Sequence, residues 1–407
     1  QFKTAFENLT LSSMSEDDKK QRLNLFNNIW REITNVIERN RELSLGSIDY
    51  YLNNIDKILE QSGGDWGKAS VEYKLIDSLV KRGNLKKYFQ KEYSKDENEW
   101  KQIDYRDYFK SKENNDEENT VAVINILGPI IDGYQTSGAA SGDNISALFD
   151  KALKNDQIKA MVVRVNTPGG SVFASELIRD ALIRVKEKNI PIVTSMGGVA
   201  ASGGYWVAAS TDYIFAEDLT ITGSIGVASV IFNAQETFNK IGLNEDGISS
   251  SVFSDTYKGI YSKRPDERLI NLNKIIIQNI YDKFINLVSE GRNMSIEDVN
   301  KLAKGQVWIG KDALKFNLID EIGSLDDAIE KAANLAKIDK YNIERIYNKK
   351  FFSKFLPFLL NEIGMKNETI NKNLDLEYRF EALFANIKNY NDPKALYYLC
   401  GICLFIN

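Results

Sequence analysis

Apolar runs that alternate with helical patterns most constrain what this chain can fold into. Thr120–Leu127, Ala160–Asn166, Ile190–Met196 and Tyr213–Ala216 are short apolar stretches bounded by turn residues. They read as buried strands, and the helical pattern from about Ser171 to Lys186 between two of them requires crossover connections. The fold class is therefore α/β. Three Gly-rich turns accompany these runs: Asn166-Thr-Pro-Gly-Gly-Ser171, Met196-Gly-Gly-Val-Ala-Ala-Ser-Gly-Gly-Tyr205 and Thr222-Gly-Ser-Ile-Gly226. Active sites of α/β sheets collect where strands end, so the three turns are expected to line one crevice. Glycine lets a backbone approach a ligand closely, and two such N–H groups make an oxyanion hole. Ser202, followed by Gly203 and the expected start of a helix, has the form of a nucleophile on a tight turn.

Composition decides which chemistry that alcohol could use. The 407 residues include no histidine, which removes Ser-His-Asp and Cys-His arrangements and every imidazole metal site. A general base must then be Asp, Glu, Lys, Tyr or a terminal amine. The stretch Ala200-Ala201-Ser202-Gly203-Gly204 nearly matches the hydrolase elbow G-x-S-x-G, but that enzyme class needs a histidine. No phosphate-binding G-x-x-x-x-G-K-(S/T) or G-x-G-x-x-G occurs at the turns. Simple packing turns would explain one such motif; three together, with an alcohol in the middle one, point to catalysis.

Other classes are disfavoured. A net charge of −5 argues against nucleic acid as a partner. Cys400 and Cys403 form one C-x-x-C without the further ligands zinc needs, so a local disulfide or an inert pair is expected, with no metal and no organic cofactor. Leu396–Ile406 is apolar but shorter than the roughly 20 residues that cross a bilayer. Asn189–Thr211 is long enough and uncharged, but its Pro191, glycines and hydroxyls suit a buried strand, a turn and a helix start. The first residue is Gln1, and residues 1–8 read as mid-domain sequence, so a missing N-terminal region is expected. A membrane anchor, if the protein has one, would lie in that region.

The chain also resembles itself. Gly67-Lys-Ala-Ser-Val-Glu-Tyr-Lys-Leu-Ile-Asp77 matches Gly310-Lys-Asp-Ala-Leu-Lys-Phe-Asn-Leu-Ile-Asp320. Each copy follows a long amphipathic segment. Leu23, Phe26, Trp30, Ile33 and Ile37 share one helical face; Leu269, Leu272, Ile276, Ile280, Phe284 and Leu287 share another. A period of roughly 250 residues is far too long for a solenoid, so a tandem duplication of one domain is expected. On this reading residues 1–90 are the C-terminal helical part of a first copy truncated at its N-terminus. Residues 91–119 are a charged linker, 120–340 a complete copy, and 341–407 an extension of no assigned role.

The runs Val163-Arg-Val-Asn-Thr-Pro-Gly-Gly-Ser171, Met196-Gly-Gly-Val-Ala-Ala-Ser-Gly-Gly-Tyr-Trp206 and Leu219-Thr-Ile-Thr-Gly-Ser-Ile-Gly226 closely resemble the signal peptide peptidase A family. These are the long-form protease IV enzymes, Ser–Lys peptidases of family S49. The resemblance extends from Lys3 to about Lys340 and weakly into the tail. It implies a Clp-protease/crotonase-like fold in tandem copies, the second supplying the serine and the first the lysine. Ser202 matches the nucleophile. Phe2-Lys3-Thr4-Ala5-Phe6-Glu7 meets the family's lysine motif, with Asn8 where proline is frequent, so Lys3 is the implied base. Ser224 matches the hydroxyl that orients the lysine amine, and the N–H groups of Gly170 and Gly203 match the oxyanion hole. Lys258, in Tyr257-Lys258-Gly259-Ile260, stands where single-copy relatives carry their base. Ser78-Leu79-Val80-Lys81 also reads S-x-x-K, lacks companion motifs, and is expected to be a turn of surface helix.

A lysine can serve as base only if it loses its charge. Its ordinary pKa of about 10.4 must fall to about 7–8, which takes desolvation worth roughly 3–5 kcal/mol. The resemblance implies an endopeptidase acting on hydrophobic extended peptides, signal-peptide remnants above all. It also implies a homotetramer on the periplasmic side of a bacterial cytoplasmic (inner) membrane. A crotonase-like acyl-CoA enzyme, which would need a carboxylate near Ser202, and a non-catalytic membrane-associated scaffold are the alternatives.

Overall fold

The computed structural model describes residues 7, 11–93, 103–104, 108, 117–134, 138–229, 235–243, 248, 267–347 and 396–399. By its internal contacts the chain divides into two units, Phe26–Asp116 and the remainder, Gln1–Leu25 with Glu117–Asn407.

The described helices of the first stretch are α1 (Glu16–Asn40), α2 (Ser47–Asn53), α3 (Ile55–Gln61), α4 (Trp66–Glu72) and α5 (Leu85–Tyr93). Helix α1 opens with Glu16, Asp17 and Asp18, which complement the positive end of its dipole. The Ser15 hydroxyl caps it, accepting from the Asp18 N–H at 3.1 Å. A small core of Tyr51, Ile58 and Ala69, flanked by Ile55, Leu59, Tyr73 and Leu75, joins α2 to α4. The expected apolar face of α1 is not its buried one. Leu23, Phe26, Trp30 and Ile33 are exposed, whereas Leu25, Thr34 and Glu38 are buried. Polar bonds set that orientation: Ile48 N–H donates to Glu38 Oε1 at 3.0 Å, and the Trp30 indole N–H donates to Asp49 Oδ1 at 2.7 Å.

The second unit supplies the remaining elements, in the order β1 (Thr120–Leu127), β2 (Ile130–Ile131), β3 (Ala140–Ser141), α6 (Gly142–Ala152), β4 (Ile158–Thr167), β5 (Gly169–Ser171), α7 (Val172–Lys186), β6 (Ile192–Ala201) and α8 (Gly203–Ala208). There follow β7 (Tyr213–Ala216), β8 (Ile221–Gly223), β9 (Ala228–Ser229), α9 (Gln235–Lys240), α10 (Glu267–Arg292), α11 (Ile296–Leu302), β10 (Val307–Ile309), α12 (Gly310–Lys315), β11 (Glu321–Ile322), α13 (Leu325–Leu335), β12 (Asn342–Ile346) and β13 (Leu396–Leu399).

The main sheet runs β10-β8-β6-β4-β1-β12, with β7 on β6 and β11 on β7. Every pair in it is parallel except β10 with β8. Parallel sheets are covered on both faces, and β1 shows it at period two. Ala122, Ile124 and Ile126 join the larger core with residues of α6, α7, α8 and α10. Val121 and Val123 join a second core against Ala328, Ile329, Ala332 and Ala333 of α13. On α10, Leu269 and Phe284 are buried, and Leu272, Ile276, Ile280 and Leu287 are half-buried, so here the expected stripe does face cover. A smaller sheet has the order β3-β2-β5-β13-β9.

The first and fourth expected strands match β1 and β7, and α7 starts where expected, with Ser171 accepting from Ala174 N–H at 3.1 Å as its cap. The third strand does not stop at Met196. It runs on through Gly197 and Gly198 to Ala201, so most of the second Gly-rich segment is strand. The first half of β6 pairs with β7 and the second half with β8, and the two glycines sit at the changeover. Gly197 allows close approach: a Cβ on it would lie 2.9 Å from Asn166 Cβ, and Val199 N–H donates to Asn166 Oδ1 at 3.1 Å. Gly169–Ser171, expected as turn, is likewise strand β5. Asn189–Thr211 folds as β6 and α8, and among the described residues no helix is long and apolar enough to cross a membrane.

Candidate active site

The sheet register brings three strand ends together. Ala200 and Ala201 of β6 pair with Thr222 and Gly223 of β8, so the next residues, Ser202 and Ser224, leave neighbouring parallel strands side by side. Thr167 of β4 pairs with Ala200 on the other side of β6, and Gly169 and Gly170 follow it after Pro168.

Ser202 links β6 to α8 with φ 57° and ψ −112°, left-handed backbone that costs a non-glycine residue about 1–3 kcal/mol. The surroundings hold it there. Its N–H donates to the Gly223 carbonyl at 2.8 Å, and its carbonyl accepts from Trp206 N–H at 2.8 Å. The residue is fully buried. A Cβ on Gly204 would sit 2.6 Å from Thr167 Cγ2, so α8 lies close on the end of β4. The Trp206 indole N–H donates to Glu176 Oε2 at 2.8 Å, and its ring meets Phe284 edge-on at 5.0 Å. The Tyr205 hydroxyl donates to the Leu318 carbonyl at 2.7 Å. Burial pushes the Tyr205 phenol well above its ordinary pKa, which keeps it a donor. The short helix behind Ser202 is thus fastened through α7, α10 and the loop after α12.

Ser224 is also left-handed, with φ 51°, and is buried. Its N–H donates to the Gln306 carbonyl at 2.6 Å. Thr222 Oγ1 donates to the Ala200 carbonyl at 2.7 Å, tying β8 to the strand that ends in Ser202. Gly170 has φ 155°, and a Cβ there would fall 1.8 Å from the Ile130 carbonyl oxygen, so no other residue fits. The Gly169 N–H donates to Thr167 Oγ1 at 3.0 Å, and β5 runs beside α8.

The structure therefore gathers Ser202, Gly203, Ser224 and Gly170 at one end of the sheet. Lys3 and Lys258 lie outside the described residues, as do Cys400 and Cys403. Ser78 and Lys81 are exposed in a loop rather than a helix, because α4 ends at Glu72 and the chain beyond Tyr73 turns through a left-handed Lys74. Four supporting residues were given no role by the sequence: Asn166, Thr167 and Thr222, which lie within the Gly-rich runs, and Glu176, which lies outside them. Among the described residues no group of His, Cys, Asp or Glu could hold a metal ion. Two open surface hollows of about 450 Å³, one lined by Asp326, Glu330 and Tyr341 and the other by Leu43, Tyr50 and Tyr73, contain none of these turn residues.

The arrangement offers an alcohol on a strained strand-to-helix turn, a second alcohol beside it, and glycine backbone on the adjoining strand. Comparison with known proteins points the same way. The model of peptidase family S49 matches residues 184–339. Protease 4 of Salmonella typhi is 35% identical over 345 residues, covering 84% of this chain and 55% of the relative. Protease 4 of Haemophilus influenzae is 31% identical over 418 residues, covering 99% of this chain and 67% of the relative. The chloroplastic serine protease SPPA of Arabidopsis thaliana is 32% identical over 247 residues, covering 60% of this chain and 35% of the relative. The chain thus spans between about half and two thirds of the length of the two Protease 4 relatives.

Proposed function

The chain belongs to peptidase family S49, and from that premise we propose that it is a serine endopeptidase in which Ser202 is the nucleophile and Lys3 the general base. The observation that carries the proposal is Ser202 itself, a buried alcohol held in left-handed backbone where β6 meets α8. Neutral Lys3 takes the Ser202 Oγ proton as the oxygen bonds to the peptide carbonyl carbon. The carbonyl oxygen gains negative charge and accepts from the N–H groups of Gly170 and Gly203. The C–N bond then breaks, Lys3 returns the proton to the leaving amine, and water hydrolyses the acyl-Ser202 ester. Ser224 orients the amine. Lys258 is the alternative base, at the matching place in the second copy.

The duplication belongs to the same proposal, with residues 1–90 as the end of a first copy, 91–119 as linker, 120–340 as the catalytic copy and 341–407 as an extension. Paired geometry supports it. Arg41 Nε donates to the Lys74 carbonyl at 2.8 Å and Arg41 Nη1 bridges Asp77 at 2.9 Å. Arg292 Nε donates to the Asn317 carbonyl at 2.9 Å and Arg292 Nη2 bridges Asp320 at 2.7 Å. The substrates proposed are hydrophobic peptides, cleaved signal peptides among them. Action at the outer face of a bacterial inner membrane and assembly as a homotetramer complete the proposal.

Hydrolysis of a hydrophobic fluorogenic peptide ester tests it. Ser202→Ala should lower kcat by about 10³ or more, and Lys3→Ala comparably, with Lys258→Ala near the parent. Undiminished turnover in Ser202→Ala would overturn the peptidase proposal. Full activity in Lys3→Ala with loss in Lys258→Ala would move the base to the second copy.

A further inference from the structure

The two proposed oxyanion donors each stand at the foot of a helix. Gly170 lies in β5, whose last residue, Ser171, caps α7, and Gly203 opens α8. Both joins are stiff. The Ser175 hydroxyl donates to the Ser171 carbonyl at 2.7 Å, and the Ser171 hydroxyl accepts from Ala174 N–H at 3.1 Å, so the first turn of α7 is tied to β5. In α8 the Trp206 backbone N–H donates to the Ser202 carbonyl at 2.8 Å. That carbonyl and the Gly203 N–H belong to one planar peptide and point in opposite directions, so holding the carbonyl aims the N–H.

A carboxylate bridges the two helices. Glu176 of α7 accepts the Trp206 indole N–H on Oε2 at 2.8 Å, and its other oxygen, Oε1, accepts from Arg179 Nη1 at 2.7 Å within α7. The carboxylate is thus oriented by its own helix while it grips the next one. The Trp206 side is enclosed: the residue is 5% exposed and its ring lies against Phe284. A buried donor is costly to leave unmade, and an acceptor that carries charge makes the stronger bond.

We propose that Glu176 is a positioning residue for peptide hydrolysis: by holding Trp206 it sets the spacing between the Gly170 and Gly203 N–H groups, and so their fit to the oxyanion. The proposal rests on the peptidase reading. Glu176 acts through Trp206 and the backbone on charge that develops only in the transition state. Its loss should therefore lower kcat and kcat/KM together and leave KM where it was. Removing one oxyanion donor outright lowers kcat by about 10²–10³, and a displacement of about 1 Å by about 10². Releasing the clamp should then lower kcat by roughly 10- to 100-fold.

The test compares the full chain with Glu176→Ala, Trp206→Phe, the double variant and Ser202→Ala. Trp206→Phe keeps a ring against Phe284 but has no indole N–H. Hydrolysis of the fluorogenic peptide ester gives kcat and KM. The indole N–H resonance of Trp206 in 15N-labelled protein, assigned by its absence from Trp206→Phe, reports the bond itself without reference to activity. The expected result is a kcat about 10- to 100-fold lower in both single variants at unchanged KM. The double variant should be no slower than either, because the two groups act as one unit. The indole resonance should move upfield and its proton exchange faster in Glu176→Ala. An unchanged kcat in Glu176→Ala, with the resonance moved, overturns the proposal and leaves the peptidase reading standing. So does a rise in KM at constant kcat, or losses that multiply in the double variant. An indole resonance that stays in place overturns it at the level of the bond. Turnover undiminished in Ser202→Ala removes the peptidase reading, and the proposal falls with it.

Discussion

Two turns in this molecule are built to one pattern and live in different surroundings. In each, a long helix ends in a left-handed residue, Glu42 or Asn293. The arginine just before it, Arg41 or Arg292, reaches a carbonyl and an aspartate that follow a later Gly-Lys helix turn. The closing hydrogen bonds correspond as well: Leu75 N–H to the Ser70 carbonyl and Leu318 N–H to the Ala313 carbonyl, both at 2.8 Å. Burial is where they part. Asp77 is 87% exposed and Asp320 25%, while Arg292, 8% exposed against 28% for Arg41, grips Asp320 with two N–H groups, and the same carboxylate accepts from Ile214 N–H at 2.8 Å. Local sequence sets the shape of such a turn; what packs on it sets how much the turn contributes.

The arginines should break this likeness most. Arg292→Ala leaves a mostly enclosed carboxylate and the Asn317 carbonyl without their donor and should cost about 3 kcal/mol. Arg41→Ala removes a solvent-screened pair and should cost under about 1 kcal/mol. Hydrogen exchange at the amides of α12 and α4 reads each turn in place; equal losses of protection would contradict the comparison.

The matching glycines should differ in sign. A Cβ at Gly310 would lie 2.0 Å from the Glu217 carbonyl oxygen, fixed backbone, so Gly310→Ala should destabilise by about 2 kcal/mol. A Cβ at Gly67 would meet the tip of Leu79, 2.9 Å away on an exposed side chain that can swing aside. Gly67→Ala should therefore be neutral or stabilise α4 by up to about 1 kcal/mol, since alanine is the better helix former. The same exchange experiment checks both.

Much of the main sheet was legible because short apolar runs rich in β-branched or aromatic residues and bounded by turn residues leave few alternatives, as in β1 and β7. The likeness of Gly67–Asp77 to Gly310–Asp320 was visible in the residues, and the two segments form turns with corresponding hydrogen bonds. The two amphipathic helices show where periodicity stops. Both α1 and α10 carry an apolar stripe, yet Phe26 and Trp30 are exposed while Phe284 is buried. A stripe says that a face seeks cover, not that the chain provides it. The extent of β6 was hidden for another reason. Glycine pairs mark turns and also close approach between strands, and only the Asn166 contacts separate the two at Gly197. The position of Ser202 could be read from its neighbours, but the bonds that hold its backbone come from Gly223, which pairing brings beside it. Nothing local announced that Leu396–Leu399 would pair with β5, because strand partners far apart in sequence leave no shared pattern.

The central claim is that Ser202 forms the covalent intermediate. It is tested by acid-quenching the chain during turnover of a hydrophobic peptide ester and locating the acyl group by mass spectrometry of the digested protein. The account predicts one acyl group on Ser202, absent in Ser202→Ala. Turnover with no acyl adduct, or with the adduct on another residue, would contradict it.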